Sequence, residues 1–228
     1  MQEKETQLQQ MLTQLRTKLL MMGAAVGIAL NEACAALEEG NSVRATEVID
    51  GDSAINTMEN EIDELALSLL VRNQPVAHDL RFVVGALRMV IDMERIGDEA
   101  ASIAERTVAL EEPLPDGVMQ AVGLLMRSAI TLYVQAMDAF RTENKTASLK
   151  LCHADGEIAR QEMTALQHVM DSFRGEPDGR SKGVGYEGMN SILICRSLNR
   201  ICRRCSNIAE HTYFIVDGIN IKHQKPSA

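Results

Sequence analysis

The 228-residue chain has no tryptophan, three tyrosines and four phenylalanines, so aromatic residues make up only 3% of it. Aromatic side chains are among those that strands favour, and a chain this short of rings is poorly supplied for a sheet. Positive charge is short too: 23 Lys and Arg stand against 32 Asp and Glu, a net charge of −9. That balance argues against a general nucleic-acid binder, because no cationic surplus exists to release counterions from a phosphate backbone. The longest apolar run, Leu19 to Leu30, falls short of the ~20 residues that span a bilayer, so no direct membrane insertion is expected. No leader is expected either, since Met1-Gln2-Glu3-Lys4-Glu5 lacks a positive segment followed by an apolar run. Five cysteines, an odd number in a chain with no export signal, point to reduced thiols and a cytoplasmic location.

What is abundant is Ala, Leu, Met, Glu and Arg, all good helix formers. The chain reads as all-α and is long enough to bury a substantial core. Breaks fall at Glu39-Gly40-Asn41-Ser42, Asn73-Gln74-Pro75, Glu112-Pro113-Leu114-Pro115-Asp116-Gly117, Arg141-Thr142-Glu143-Asn144 and the Gly-rich segment Arg174 to Gly188. These predict six helices at 2–38, 42–72, 76–109, 116–141, 145–173 and 187–217, with Pro75 in the first turn of the third.

The six helices are two copies of three. With an offset of 103, Ala36-Leu37 matches Ala139-Phe140, Asn41 matches Asn144, and Asp52 with Ile55 matches Asp155 with Ile158. In the third helix the offset is 105: DMERIGDEAASIAE at 92–105 matches SLNRICRRCSNIAE at 197–210. Met89, Met93, Ile96, Ala100 and Ile103 form one helical stripe, and Ile194, Leu198, Ile201, Cys205 and Ile208 repeat it. The expected organisation is two tandem three-helix bundles, 1–111 and 116–218, followed by a tail at 219–228. A single six-helix bundle also fits the pattern.

Inside this shared frame the charge reverses. Glu94 and Asp98 sit four residues apart on one helix face, with Asp92 and Glu99 widening the acidic patch. Like charges at that spacing cost a helix a few tenths of a kcal/mol unless a cation lies between them. A hard metal ion would supply it, and so would an arginine from a neighbouring helix. A solvated acidic face is the plain alternative in so acidic a chain. Asp52 and Glu59 add carboxylates from the second helix, and Asn56 interrupts them.

Pro75-Val76-Ala77-His78-Asp79-Leu80-Arg81-Phe82, then Asp92-Met93-Glu94-Arg95-Ile96-Gly97-Asp98, and Ser206-Asn207-Ile208-Ala209-Glu210 near the end closely resemble the PhoU family of phosphate-uptake regulators. The resemblance covers about residues 10–218. It implies two three-helix repeats and a negative regulator of the phosphate-starvation response, bridging a phosphate-transporter ATPase subunit and a membrane sensor histidine kinase. The family's E(D)xxxD motifs are associated with metal ions, including iron clusters. By that resemblance Glu94 and Asp98, with Asp52 and Glu59 on the second helix, form a first-repeat site for a divalent or ferric ion such as iron, zinc or magnesium.

The second repeat departs from the family pattern. Asn199 and Arg203 stand where carboxylates are usual, and Ala159 replaces the partner of Asp155. A guanidinium is a permanent cation, so the second metal site reads as lost. Arg203, with Arg204, is expected to serve as the positive centre facing Asp155 and Glu162.

The remaining candidates read as structural. Cys202-Arg203-Arg204-Cys205 is a C-x-x-C, and a redox or thiolate-metal site would use it. Yet Cys34, Cys152, Cys195, Cys202 and Cys205 align with Met137, Ile49, Val90, Gly97 and Ala100, which suggests buried small hydrophobes. His78, His153 and His211 carry no phosphotransfer context, and Asp79 with Arg81 is expected to form a local ion pair at a helix start. No nucleophile–base pair or phosphate-cradling glycine loop is present, so no enzyme is expected. The Gly-rich stretch 174–188 is a candidate docking loop, and broad helical faces suit a homodimer. A metal storage or sensing bundle, or a partner of a different anion transporter, are the rival readings.

Overall fold

A computed structural model describes residues 2–152, 155–172 and 182–221. Among these residues the structure is all-helical: α1 (Gln2–Glu39), α2 (Ser42–Asn73), α3 (Ala77–Ala109), α4 (Asp116–Thr142), α5 (Lys145–Leu151), α6 (Asp155–Ser172) and α7 (Lys182–Asp217).

The same joint opens the second helix of each repeat. Asn41 caps α2 by accepting from the Arg44 amide at 3.1 Å, and Asn144 caps α5 by accepting from the Ala147 amide at 3.0 Å. Each asparagine's own amide also closes the preceding helix, onto Ala36 O at 2.8 Å and Ala139 O at 2.9 Å. The left-handed residue just before it is Gly40 in the first repeat and Glu143 in the second.

Three boundaries differ from expectation. The expected helix 145–173 is two segments, α5 and α6, with Gly156, a poor helix former, behind the start of α6. The last helix begins at Lys182 rather than 187, running through Gly183 and Gly185. Pro75 precedes α3 instead of lying in it, because Gln74 ends α2 in the left-handed conformation and Val76 caps α3.

The first three helices pack on one another, α4 to α7 form the second group, and α3 against α7 joins the two. Both predicted stripes lie in the core: Met89, Met93, Ile96, Ala100 and Ile103 are fully buried, as are Ile194, Leu198, Ile201 and Ile208, with Cys205 close behind. The 33-residue segment Gln7–Glu39 and Asp116–Thr142 are long and apolar enough to cross a membrane. Here they bury Leu15, Leu19, Met22, Val122, Leu125 and Phe140 inside the bundle.

The repeats also meet where α1 contacts α4. Tyr133 Oη donates to Gly23 O at 2.6 Å, and Gly27 leaves room for the same ring, since a Cβ there would stand 3.0 Å from Tyr133 Cε1. The Arg16 guanidinium lies over Phe82 of α3 and Phe140 of α4, at 5.4 and 5.6 Å from the ring centres.

Candidate functional site

The acidic residues of the first repeat line the seam between α2 and α3. Gly97 makes the close approach possible: a Cβ there would stand 3.1 Å from Ile55 Cδ1 and 3.7 Å from Asp52 Oδ1. Asp52, Glu59, Glu94 and Asp98 lie half-buried along this seam, and Asp63 continues the line on α2. Burial raises the pKa of Glu94, reinforced by Asp98, Glu59 and Asp52 and opposed by Arg95. Asp52 is raised by burial and by Asp98 and Glu105, against a hydrogen bond from Asn56. Burial likewise raises Glu59, with Asp63 adding to it, and raises Asp63.

The seam is only partly satisfied. Asn56 Nδ2 donates to Asp52 Oδ2 at 3.0 Å, while Asp52 Oδ1, Asn56 Oδ1 and Asp63 Oδ1 are buried with no hydrogen-bond partner. Arg95 stands between the motif carboxylates, 3.4 Å from Glu94 and 3.3 Å from Asp98. The donor types suit a hard cation. Among the described residues, however, no three carboxylate, imidazole or thiol side chains are gathered as a ready metal cluster.

In the second repeat, Ile158, Ala159, Glu162, Asn199 and Arg203 line a cleft of about 310 Å³. Asn199 Nδ2 donates to Glu162, so the amide replacing Glu94 holds the carboxylate matching Glu59. Arg203 is exposed on the same cleft, and the side chain of Asp155 lies outside the described residues. Arg204 does not join Arg203 there.

Arg204 instead reaches α3, where the sequence reading misses the main feature. Asp92 does not widen the acidic patch; it is 4% exposed and accepts from Arg204 Nη1 at 2.9 Å and Asn207 Nδ2 at 3.0 Å. His211 Nε2 also stands 3.0 Å from its second oxygen. Burial alone would raise the Asp92 pKa, but the hydrogen bonds from His211, Asn207 and Arg204 outweigh it and hold the carboxyl below its usual range. Glu99 is likewise taken out of the patch by a two-pronged pair with Arg200, one arm at 2.7 Å.

The repeat itself carries the signal for this arrangement. At offset 105, Asp92 matches Ser197 and Glu99 matches Arg204. Arg200, paired with Glu99, also donates to Ser197 Oγ at 3.1 Å. Asp92 thus meets Arg204 directly across the α3–α7 contact, while Arg200 bridges their repeat counterparts Ser197 and Glu99.

The other candidates resolve simply. Cys34, Cys195, Cys202 and Cys205 are buried and Cys152 is half-buried; no disulfide joins any of the five. Burial pushes Cys34 and Cys195 up to about 12 and also raises Cys205 well above the ordinary thiol range, so the C-x-x-C is poorly suited to thiolate chemistry. His78 is exposed beside Asp79, at 3.8 Å. Arg81 does not pair with Asp79; its Nε donates to Ile215 O at 3.3 Å, tying α3 to α7. His153 lies outside the described residues, as do 174–181 of the candidate docking loop.

Fold and site together define a tandem helical-repeat scaffold with an acidic seam in one repeat and a cationic replacement in the other. The PhoU domain family matches residues 19–107 and 123–212, and the chain belongs to that family. It is an accessory regulatory protein, not an enzyme. The chain is 35% identical to a phosphate-specific transport system accessory protein PhoU homolog from Pseudomonas putida, over 93% of this chain and 81% of that one. It is 27% identical to the PhoU accessory protein of Escherichia coli K12, over 93% and 86%. The crystal structure of PhoU from Pseudomonas aeruginosa superposes with a TM-score of 0.86 at 33% identity, covering 92% of this chain and 99% of that one.

Proposed function

We propose that the protein is a cytoplasmic negative regulator of phosphate uptake and phosphate-starvation signalling. It acts by contact with the ATPase subunit of a phosphate transporter and with a membrane sensor histidine kinase. The observation that carries this reading is similarity running through both repeats to proteins named as phosphate-specific transport accessories, over 93% of the chain. Deleting the gene should leave a phosphate-starvation reporter active in phosphate-rich medium, and the intact gene should restore repression. A deletion that leaves the reporter repressed in rich medium would contradict it.

A second reading is favoured by the buried, unpartnered Asp52 Oδ1 beside raised carboxylates. Asp52, Glu94 and Asp98, with Glu59 beside them, would hold a divalent or ferric ion. The ion would supply positive charge that Arg95 provides only in part. Several iron ions per chain would favour a storage or sensing role, and a single ion would favour a structural one.

A further inference from the structure

The two repeats carry matching grooves with different linings. Between α1 and α2, Ala25, Ile28, Ala29, Val48, Gly51 and Ala54 line a groove of about 280 Å³. Between α4 and α6, Ser128, Thr131, Leu132, Glu157 and Ile158 line one of about 310 Å³. At offset 103, Ala25 corresponds to Ser128, Ile28 to Thr131 and Ala54 to Glu157. At these places the second groove has two hydroxyls and a carboxylate, Ser128 Oγ donating to Gln161 Oε1 at 2.7 Å, beside Leu124, Leu132 and Ile158. The same helix pairing therefore forms with hydroxyls and a carboxylate in these places, and the fold does not require the first groove to be apolar. Ile28 nevertheless stands 65% exposed.

Gly51 adds an independent observation. A Cβ placed on it meets no atom within 4 Å, so no internal contact requires glycine there. Glycine inside a helix is unfavourable, and this one is in the body of α2. What the missing side chain does is keep the groove floor open. The rim is acidic: Glu32, Glu39 and Glu47 surround a single guanidinium, Arg44, which already pairs with Glu32 and Glu39. A second copy of this chain, at net −9, is a poor electrostatic match for that rim.

We propose that the α1–α2 groove docks a basic amphipathic helix of a partner protein. Its apolar stripe enters over Gly51 and its Lys or Arg side chains face Glu32 and Glu47. This does not depend on which transport system the protein serves.

The test is fluorescence anisotropy with two stapled helices of about 18 residues sharing one Leu/Ala stripe, one flanked by lysines and the other by glutamates. The basic helix should bind and the acidic one should not. Gly51→Leu, whose Cβ meets no atom within 4 Å, and Glu47→Lys should each weaken binding at least about tenfold. Thr131→Leu, in the second groove, should leave binding unchanged. Thermal melting of Gly51→Leu at or above the parent temperature establishes that the variant is folded; if it melts lower, Ile28→Glu, on the exposed rim, takes its place. No binding by the basic helix, equal binding by both helices, or full binding by the groove variants would overturn the proposal. So would a Gly51→Leu variant that converts a dimer to a monomer in sedimentation, since the occupant would then be a second copy.

Discussion

Asp92 and His211 are 119 positions apart in the chain, and their side chains meet at 3.0 Å in the contact between the two repeats. Arg204 and Asn207 complete the ring around the same carboxylate. A buried anion with three partners holds α3 against α7 far more specifically than apolar packing alone can, because its hydrogen bonds fix register and orientation.

Replacing that anion should therefore be costly. Asp92→Ala leaves Arg204 and His211 facing an empty acceptor, and a loss of about 3 kcal/mol is expected, the low end for a broken buried pair because Arg204 remains partly exposed. Urea unfolding of the variant against the parent measures it. A change within about 0.5 kcal/mol, the range of ordinary surface substitutions, would show that the ring is incidental.

Acid titration should act in opposite directions at the two carboxylate sites. Asp92 has a depressed pKa in the folded state, so its contribution is present above its ordinary value of 3.8 and is lost as pH falls below that through the folded value. Glu94 and Asp52 have raised folded values, so their contribution is full below the ordinary 4.5 and 3.8 and is lost as pH rises through the folded ones. Melting temperature should thus rise as pH is lowered toward the carboxylate range and fall at stronger acid. Glu94→Gln should flatten the rise, and Asp92→Asn should flatten the Asp92 share of the fall.

Two glycines make a matched pair. At Gly85, in the α3–α7 contact, a Cβ would overlap Ile215 Cγ1 and stand 2.6 Å from its Cδ1. A β-branched side chain cannot swing clear, so Gly85→Ala should destabilise by about 1–3 kcal/mol. Gly51→Ala meets open space and should stabilise by up to about 1 kcal/mol through helix propensity. Thermal melts of both variants check the signs.

Much of this architecture is legible in the sequence, and the reason is periodicity. The stripe from Met89 to Ile103 repeats at Ile194 to Ile208, and both are in the core because a helix must bury its apolar face. Asp52, Glu59, Glu94 and Asp98 share one seam because Gly97 lets α3 approach Ile55 and Asp52 of α2. The fate of Asp92 and Glu99 is not legible in the same way. Periodicity tells which face of a helix is hidden, not which partner helix hides it. Once α7 lies against α3, Asp92 and Glu99 belong to the contact between repeats, and His211 acquires the partner that its local context does not reveal. The earlier start of α7 has a similar cause, since its long packed body sustains helix through Gly183 and Gly185.

The two repeats are proposed to differ in electrostatics, with a cation site in the first and, in its place, the Asn199 amide and the Arg203 guanidinium in the second. Elemental analysis of the purified protein tests it most directly, comparing the parent with Glu94→Ala/Asp98→Ala and with Asp155→Ala. An ion is expected in the parent and in Asp155→Ala, and none in the double variant. Metal retained by the double variant but lost on changing Asp155 would contradict it.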